Sequence, residues 1–206
     1  MAFINTIQYQ DATGKLKKIY ERVKGPNNNV DNILVAQSLR PHSLEGHMSL
    51  YKNVLHHSGN KLDKAYLEII GVYVSLLNQC EYCVEHHFAG LLRQMNNNAE
   101  AHLIRKNLES DQLIEPLTPK QQQGLMYARK LTIMPSEISS LDIETCRELG
   151  FSDGEILEIN QVTAYFNYAN RTVLGLGVSL EGDILGLSPN SDSPDDWSHQ
   201  TVENKT

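Results

Sequence analysis

Apolar residues recur along most of the chain at intervals of three and four, which is the period of an amphipathic α-helix. The first stripe consists of Leu16, Ile19, Tyr20 and Val23, and the Gly25-Pro26 pair ends it. Very few segments alternate with period two, as a half-buried strand would. The pattern therefore predicts an all-α fold.

Turn and capping signals divide the remaining pattern into eight further helices. Asp63 is placed to cap a helix that is apolar nearly all round, which predicts a central, buried position for it. Thr118 with Gln121, and Ser152 with Glu155, read as capping boxes. The predicted helices after the first are 32–39, one from Pro41 to Gly59, 64–78, one from the Cys80 region to Asn96, 99–108, 119–131, 141–149 and 153–174.

No linker and no fixed-period repeat interrupts these helices, so residues 1–186 are predicted to form a single all-helical domain. Residues 187–206 are polar and rich in turn formers, which predicts a C-terminal tail that is disordered or laid on a neighbouring subunit. Trp197 lies in this tail, where a lone aromatic either anchors the segment on a neighbour or belongs to a loose end.

Composition narrows the class of protein. The chain has 206 residues, of which 40% are hydrophobic and 21% charged, as expected for a soluble globular protein. A formal net charge of -7 argues against a nucleic-acid partner, because such proteins need a basic surface. The N-terminus has no signal-peptide pattern, and Glu68 interrupts the most apolar run. We therefore expect a cytoplasmic protein without a membrane segment.

The candidate chemistry lies in the string from Asn78 to His87. In a reducing compartment, a C-x-x-C pair such as Cys80 and Cys83 indicates redox or metal chemistry. If Cys83 lies in the first turn of a helix, His87 follows one turn later on the same face. A helix N-terminus and a nearby imidazole both favour the thiolate. We therefore expect Cys83 to be a low-pKa thiol.

Glu68 is the other candidate for chemistry. It is the only charged residue between Lys64 and Glu81. Burial of a carboxylate among apolar residues raises its pKa and suits it to accept and return a proton near neutral pH. Glu68 is thus a candidate proton relay, and the alternative that it faces a polar seam or a subunit contact stays open.

Other interpretations of the cysteines fit the residues less well. A covalent c-type haem needs a histidine directly after the second cysteine, where Val84 stands. Zinc could use both cysteines with His86 or His87, but a second, separated ligand pair is missing. Two cysteines that are merely buried would leave His87 without a role.

The remaining histidines and the third cysteine carry no motif. Cys146 is expected to be a buried small residue. His86 points about 100° away from His87 on a helix, toward the pocket or an oligomer contact. Solvated or hydrogen-bonded roles are expected for His42, His47, His56, His57, His102 and His199.

The spacing from Glu68 through Cys80-x-x-Cys83 to His87 resembles the active-site signature of the alkylhydroperoxidase D and carboxymuconolactone decarboxylase superfamily, in particular its peroxidase-related enzymes. A weaker resemblance runs from Leu34 to Leu108 and over residues 150–159. It implies an all-helical domain that assembles into homo-oligomers, often trimers or hexamers. Cys83 would be the peroxidatic nucleophile, Cys80 the resolving thiol, and Glu68 with His87 the proton relay. One departure is Tyr82, which stands where alkylhydroperoxidase D proper has a histidine.

We therefore predict a cofactor-free, thiol-dependent peroxidase. The Cys83 thiolate would attack a peroxide oxygen, the resulting sulfenic acid would condense with Cys80, and an external thiol of unspecified identity would reduce the disulfide. One alternative is a carboxymuconolactone-decarboxylase-like lyase, although such relatives generally lack the cysteine pair. Another is a non-catalytic, redox-responsive or zinc-holding assembly module, which would not turn over peroxide.

Overall fold

The structure is a computed structural model that describes residues 2–189 and 196–200. These residues form nine α-helices and one short antiparallel strand pair, so the predicted all-α fold is confirmed. None of the helices in this part of the chain is long and apolar enough to cross a bilayer. The helices are α1 (Gly14–Val23), α2 (Asn32–Val35), α3 (Pro41–Tyr51), α4 (Lys64–Leu77), α5 (Glu81–Gln94), α6 (Asn98–Glu109), α7 (Pro119–Ile133), α8 (Ser140–Glu148) and α9 (Asp153–Leu176), and the strands are β1 (Ser188–Pro189) and β2 (His199–Gln200).

Helix α4 is the centre of the molecule, as its apolar sequence predicts. It packs against α5, α7 and α9, and its residues from Tyr66 to Ser75 are all buried. Its first turn is capped by Asp63, whose side chain accepts a hydrogen bond of 2.8 Å from the Ala65 N–H. A helix surrounded in this way needs apolar residues on every side, which is why its sequence lacks a polar stripe.

The boundary between α4 and α5 falls at the cysteines, also as predicted. Asn78 ends α4, and Gln79 adopts a left-handed conformation with φ 56° that turns the chain sharply. Cys80 is then the N-cap of α5, and Cys83 lies in its first turn. The sharp turn lays α5 against α4 and brings the cysteines to the buried side of the bundle.

Two predicted helices differ from the observed ones. The second is a single turn, Asn32–Val35, and the third ends at Tyr51 and continues as a π-helical turn, Lys52–His56. The wider turn buries both Leu55 and His56. A π turn inserts one residue into the helical period, a change that the spacing of apolar residues does not reveal. Both predicted capping boxes, at Thr118 and at Ser152, are present.

The described part of the C-terminal segment packs on its own chain. Leu187, Trp197 and His199 are each at most 6% exposed, and the Arg22 guanidinium lies 3.7 Å from the centre of the Trp197 ring. For these residues, the expectation of a loose tail or of an anchor on a neighbouring subunit is wrong. Residues 190–195 and 201–206, also predicted as tail, lie outside the described residues.

Candidate active site

A small buried cavity of about 50 Å³ lies where α3, α4, α5 and α9 meet the C-terminal segment. A volume of this size holds a few water molecules. The polar residues that line it come from distant parts of the chain: Asp31, His47, Tyr51, Glu68, Tyr82, Cys83, His86, His87, Tyr165 and His199. Three of the four predicted site residues, Glu68, Cys83 and His87, are among them.

Glu68 and His87 form a direct pair between α4 and α5. The Nδ1 atom of His87 lies 2.7 Å from Oε2 of Glu68, and both side chains are largely buried. Gly90 allows this close approach, since a Cβ atom there would lie 3.0 Å from Glu68 Oε1. The edge-on Phe166 ring, 4.5 Å from the imidazole, holds His87 from the other side. Glu68 is therefore paired with an imidazole of its own chain.

The two thiols of the C-x-x-C pair are free, buried and hydrogen-bonded to each other. They differ in what they face. Cys83 lines the cavity with Glu68 and His87, whereas Cys80 lines a separate depression against Val173. Both thiols thus lie at the start of α5, but Cys83 lines the cavity and Cys80 lines the depression.

The hydrogen bond between the thiols makes them unequal. It is the main cause that holds the pKa of Cys80 below its usual value, and the backbone N–H of Cys83 adds to the effect. The same hydrogen bond, together with burial and the charge of Cys80, raises the pKa of Cys83 well above its usual value. Our expectation that Cys83 is the low-pKa thiol is therefore wrong. A Cys83 nucleophile needs a base, and the His87 imidazole shares its cavity.

Asn170 is a site residue that sequence reasoning missed. Its fully buried amide lowers the pKa of both cysteines, although not as the main cause, and its N–H donates a hydrogen bond of 3.0 Å to Ser75 Oγ. Asn78 donates a hydrogen bond of 2.9 Å to the Asn170 amide oxygen and so orients it. A polar residue on the buried face of α9 is the only signal that the sequence carries for this role.

A second carboxylate holds the residues that flank Cys83. Asp183 accepts a hydrogen bond of 2.5 Å from the Tyr82 hydroxyl, and its Oδ2 lies 3.2 Å from His86 Nε2. The Tyr82 phenol therefore binds a carboxylate of the segment after α9. Burial, followed by the charges of Asp31 and Asp183, raises the pKa of Tyr82 well above its usual value. His86 lines the cavity, one of the two positions that we expected for it.

A third carboxylate and imidazole meet from opposite ends of the chain. His199 Nδ1 lies 2.9 Å from Asp31 Oδ2, and both residues are buried. The expectation of a hydrogen-bonded or solvated role holds for His199, but its place in the cavity was missed. The two residues are 168 positions apart and share no motif.

The other histidines divide into two groups. His42, His57 and His102 are exposed. His47 and His56 are buried, and burial lowers their pKa values to about 4 and about 3, respectively. Cys146 is buried, as expected, with Gln123 beside it. Among residues 2–189 and 196–200, no group of three His, Cys, Asp or Glu side chains is arranged to hold a metal ion.

Known proteins share this fold, and one family model covers the region that carries the signature. Residues 41–118, which contain Glu68 and the cysteines, match the sequence model of the Carboxymuconolactone decarboxylase family. A structure described as the alkylhydroperoxidase AhpD core, an uncharacterized peroxidase-related protein from Ralstonia eutropha JMP134, aligns with a TM-score of 0.73 at 24% identity, over 86% of this chain and 91% of that one. An uncharacterized peroxidase-related protein from Silicibacter sp. TM1040 aligns with a TM-score of 0.66 at 28% identity, over 74% and 78% of the two chains.

A third neighbour is the debrominase Bmp8. Its apo structure aligns with a TM-score of 0.67 at 15% identity, over 86% of this chain and 91% of that one, and a cysteine-to-alanine variant of it is known in complex with 2,3,4-tribromopyrrole. No curated protein matches the sequence at a significant level. The family match over the signature residues and the shared helical fold agree with each other, and they confirm the resemblance to the alkylhydroperoxidase D and carboxymuconolactone decarboxylase superfamily.

Proposed function

We propose that this protein is a thiol-dependent peroxidase that reduces hydroperoxides with Cys83 and Cys80. The observation that carries the proposal is the convergence of a thiol and a carboxylate-held imidazole on one buried cavity. Cys83 and His87 both line it, and Glu68 holds the imidazole at 2.7 Å. Carboxylate, imidazole and nucleophile in this order form the arrangement by which proteins activate a poor nucleophile.

The first step removes the proton from Cys83. Because Glu68 accepts the Nδ1–H of His87, the Nε2 atom is left as the base. The Cys83 thiolate then attacks the terminal oxygen of the hydroperoxide, and the S–O bond forms as the O–O bond breaks. Cys83 becomes a sulfenic acid, and an alcohol or water leaves after taking up one proton.

The second step forms the disulfide. Cys80, the thiol with the lowered pKa, is the one that is ready as a thiolate, and it is hydrogen-bonded to Cys83. Its attack on the Cys83 sulfenic sulfur releases hydroxide, which leaves as water after protonation. An external thiol reductant then returns two electrons and restores both thiols. No cofactor takes part in this sequence.

The size of the cavity favours a small oxidant. About 50 Å³ accommodates hydrogen peroxide or the reacting end of an alkyl hydroperoxide. We further propose a cytoplasmic protein that does not bind nucleic acid, as its charge of -7 suggests. We also propose assembly into a trimer or hexamer, which the family resemblance implies and which a mass measurement in solution tests; exposed apolar side chains, among them Leu141 and Leu157, are available for such contacts.

The test follows the thiols of reduced protein mixed with hydrogen peroxide or tert-butyl hydroperoxide. We expect the wild type to lose two thiols per chain and to form the Cys80–Cys83 disulfide. Cys80→Ser should stop at a sulfenic acid on Cys83 that dimedone traps, and Cys83→Ser should not react. Cys146→Ser is the matched control and should behave as the wild type, because Cys146 lies outside the cavity.

Two results would contradict the proposal. If Cys83→Ser loses thiol at the wild-type rate, Cys83 is not the nucleophile. If the wild type reacts no faster than a free cysteine, and metal analysis of the same sample gives one zinc per chain, the assembly module is the better interpretation. A lyase would leave both thiols unchanged by peroxide.

A further inference from the structure

We propose that His199, held by Asp31, is the general acid that protonates the leaving oxygen when Cys83 attacks a hydroperoxide. The inference rests on the proposed peroxidase function and assigns a residue from the C-terminal segment to its first step. The C-terminal segment would then supply a catalytic residue in addition to forming part of the cavity wall.

The first observation is an unsatisfied nitrogen. His199 is only 4% exposed, and its Nδ1 atom is bound to Asp31 Oδ2 at 2.9 Å. The other ring nitrogen, Nε2, is buried and has no hydrogen-bond partner within the described residues. A buried imidazole nitrogen without a partner is costly, because it has lost its hydrogen bonds to water. A molecule in the cavity can supply the missing partner.

The second observation is the position of the ring. His199 lines the same cavity as Cys83 and His87. Because Asp31 occupies the Nδ1 edge, the Nε2 edge is the one available to a molecule in the cavity. The centre of the Tyr51 ring lies 6.1 Å from that of His199 and 6.4 Å from that of His87, so both imidazoles lie beside the same phenol. The cavity thus has two carboxylate-held imidazoles, of which the proposed function uses only His87.

The third observation concerns charge. Burial works to raise the pKa of Asp31, but His199, with smaller contributions from His86 and His87, brings it below its usual value. Asp31 is therefore an ionised carboxylate in the folded protein. A carboxylate at Nδ1 stabilises positive charge on the imidazole, as in the catalytic triad of serine proteases. The imidazolium form of His199 carries its second proton on Nε2.

The chemistry of the proposed step needs a proton at this place. Thiolate attack is in line, so the leaving oxygen lies on the side of the peroxide away from the sulfur. As the S–O bond forms, the electron pair of the O–O bond moves to the leaving oxygen, which takes the Nε2 proton of His199. Cys83 sulfenic acid, an alcohol or water, and neutral His199 result, and solvent then returns the proton to His199. General acid catalysis of this kind typically contributes about 10²- to 10⁴-fold.

The test compares oxidants whose leaving groups differ in basicity. Hydrogen peroxide expels hydroxide, which needs a proton, whereas peracetic acid expels acetate, which does not. The single-turnover oxidation of Cys83 is measured with both oxidants for the wild type, His199→Gln and Asp31→Asn. The comparison is made below the pH at which the peracid ionises. His42→Gln, a change at an exposed histidine, is the matched control.

We expect His199→Gln to lose about 10²-fold or more with hydrogen peroxide and to retain most of the rate with peracetic acid. Asp31→Asn should show the same selective loss, and it serves if His199→Gln does not fold. A further measurement on the wild type is the rate ratio in H₂O and D₂O, which should be larger for hydrogen peroxide than for peracetic acid.

Equal losses with the two oxidants would show that His199 only anchors the C-terminal segment, and unchanged rates would show that it is a spectator. Either result overturns the inference while the peroxidase proposal stands. A wild type that reacts with neither oxidant contradicts the proposed function itself, so the two failures are distinguishable.

Discussion

At the scale of single residues, the cavity is organised by three carboxylates that each bind one imidazole. Glu68 binds His87, while Asp183 and Asp31 bind His86 and His199. A buried carboxylate is costly alone, and the imidazole partner offsets part of that cost. Each carboxylate also decides which ring nitrogen stays free, and this sets the direction in which a proton can move.

Glu68→Gln tests whether this arrangement serves catalysis. The amide is isosteric, so we expect the fold to persist, whereas the loss of charge should slow Cys83 oxidation by about 10²- to 10⁴-fold at neutral pH. Because the pKa of Cys83 is raised, its thiolate fraction grows as the pH rises, and the rate of the variant should partly recover in alkaline buffer. Stopped-flow oxidation measured across roughly pH 6 to 9 checks this expectation.

Glu144→Gln is the control for Glu68→Gln, because Glu144 is exposed on α8 and lies outside the cavity. A folded Glu68→Gln protein with wild-type oxidation kinetics over the whole pH range would make Glu68 a structural residue. His87 would then be the remaining candidate base for Cys83.

At the scale of helices, glycines on α4 and α5 make the close packing around the site possible. Gly71 on α4 faces the Phe166 ring of α9, and a Cβ atom at Gly71 would lie 2.2 Å from Phe166 Cζ. Phe166 is fully buried and also contacts the His87 imidazole. The Gly71 contact therefore connects the packing of two helices to the orientation of a site residue.

We expect Gly71→Ala to lower the free energy of unfolding by about 1–2 kcal/mol, since overpacking outweighs the gain in helix propensity. The displaced Phe166 ring should also slow Cys83 oxidation. Urea unfolding measures the first effect, and the peroxide assay measures the second. Gly46→Ala is the matched control, because no atom lies within 4 Å of a Cβ there. It should stabilise the protein by up to about 1 kcal/mol, and an equal response of both variants would contradict the packing argument.

At the scale of the whole molecule, buried neutral histidines make the fold sensitive to acid. The pKa values of His47 and His56 in the folded protein are about 4 and about 3, and burial is the main cause of both shifts. In the unfolded chain a histidine has a pKa of about 6.5. Between these values the unfolded state binds protons that the native state does not, so stability falls as the pH falls.

We therefore expect the free energy of unfolding to decrease from about pH 6.5 toward pH 4.5, by up to about 1.4 kcal/mol per pH unit for each of the two histidines. His47→Gln should flatten this dependence, because it removes one of the titrating groups. His42→Gln should leave it unchanged, since His42 is exposed. Chemical denaturation at several pH values measures the slope, and an equal slope in all three proteins would contradict the assignment.

What the sequence alone determined is local in the chain. The helices follow from the spacing of apolar residues and from caps a few positions away, as at Asp63 and at Ser152. The position of Cys80 and Cys83 at the start of α5, with His87 one turn later, is likewise a local feature of the sequence. Helical geometry sets all of these relations within a turn or two, so they can be read from the order of residues.

Only the tertiary structure decided which groups meet. Asp31 and His199 are 168 residues apart, and no periodicity relates them. The inequality of the two thiols likewise depends on their mutual hydrogen bond and on Asn170 from α9, which a helix N-terminus does not predict. The C-terminal segment reads as a polar tail because its buried residues among those described are too few and too widely spaced to form a pattern; they are Leu187, Pro189, Trp197 and His199. Their burial comes from surfaces formed by distant parts of the chain, and such surfaces exist only after the helices have packed.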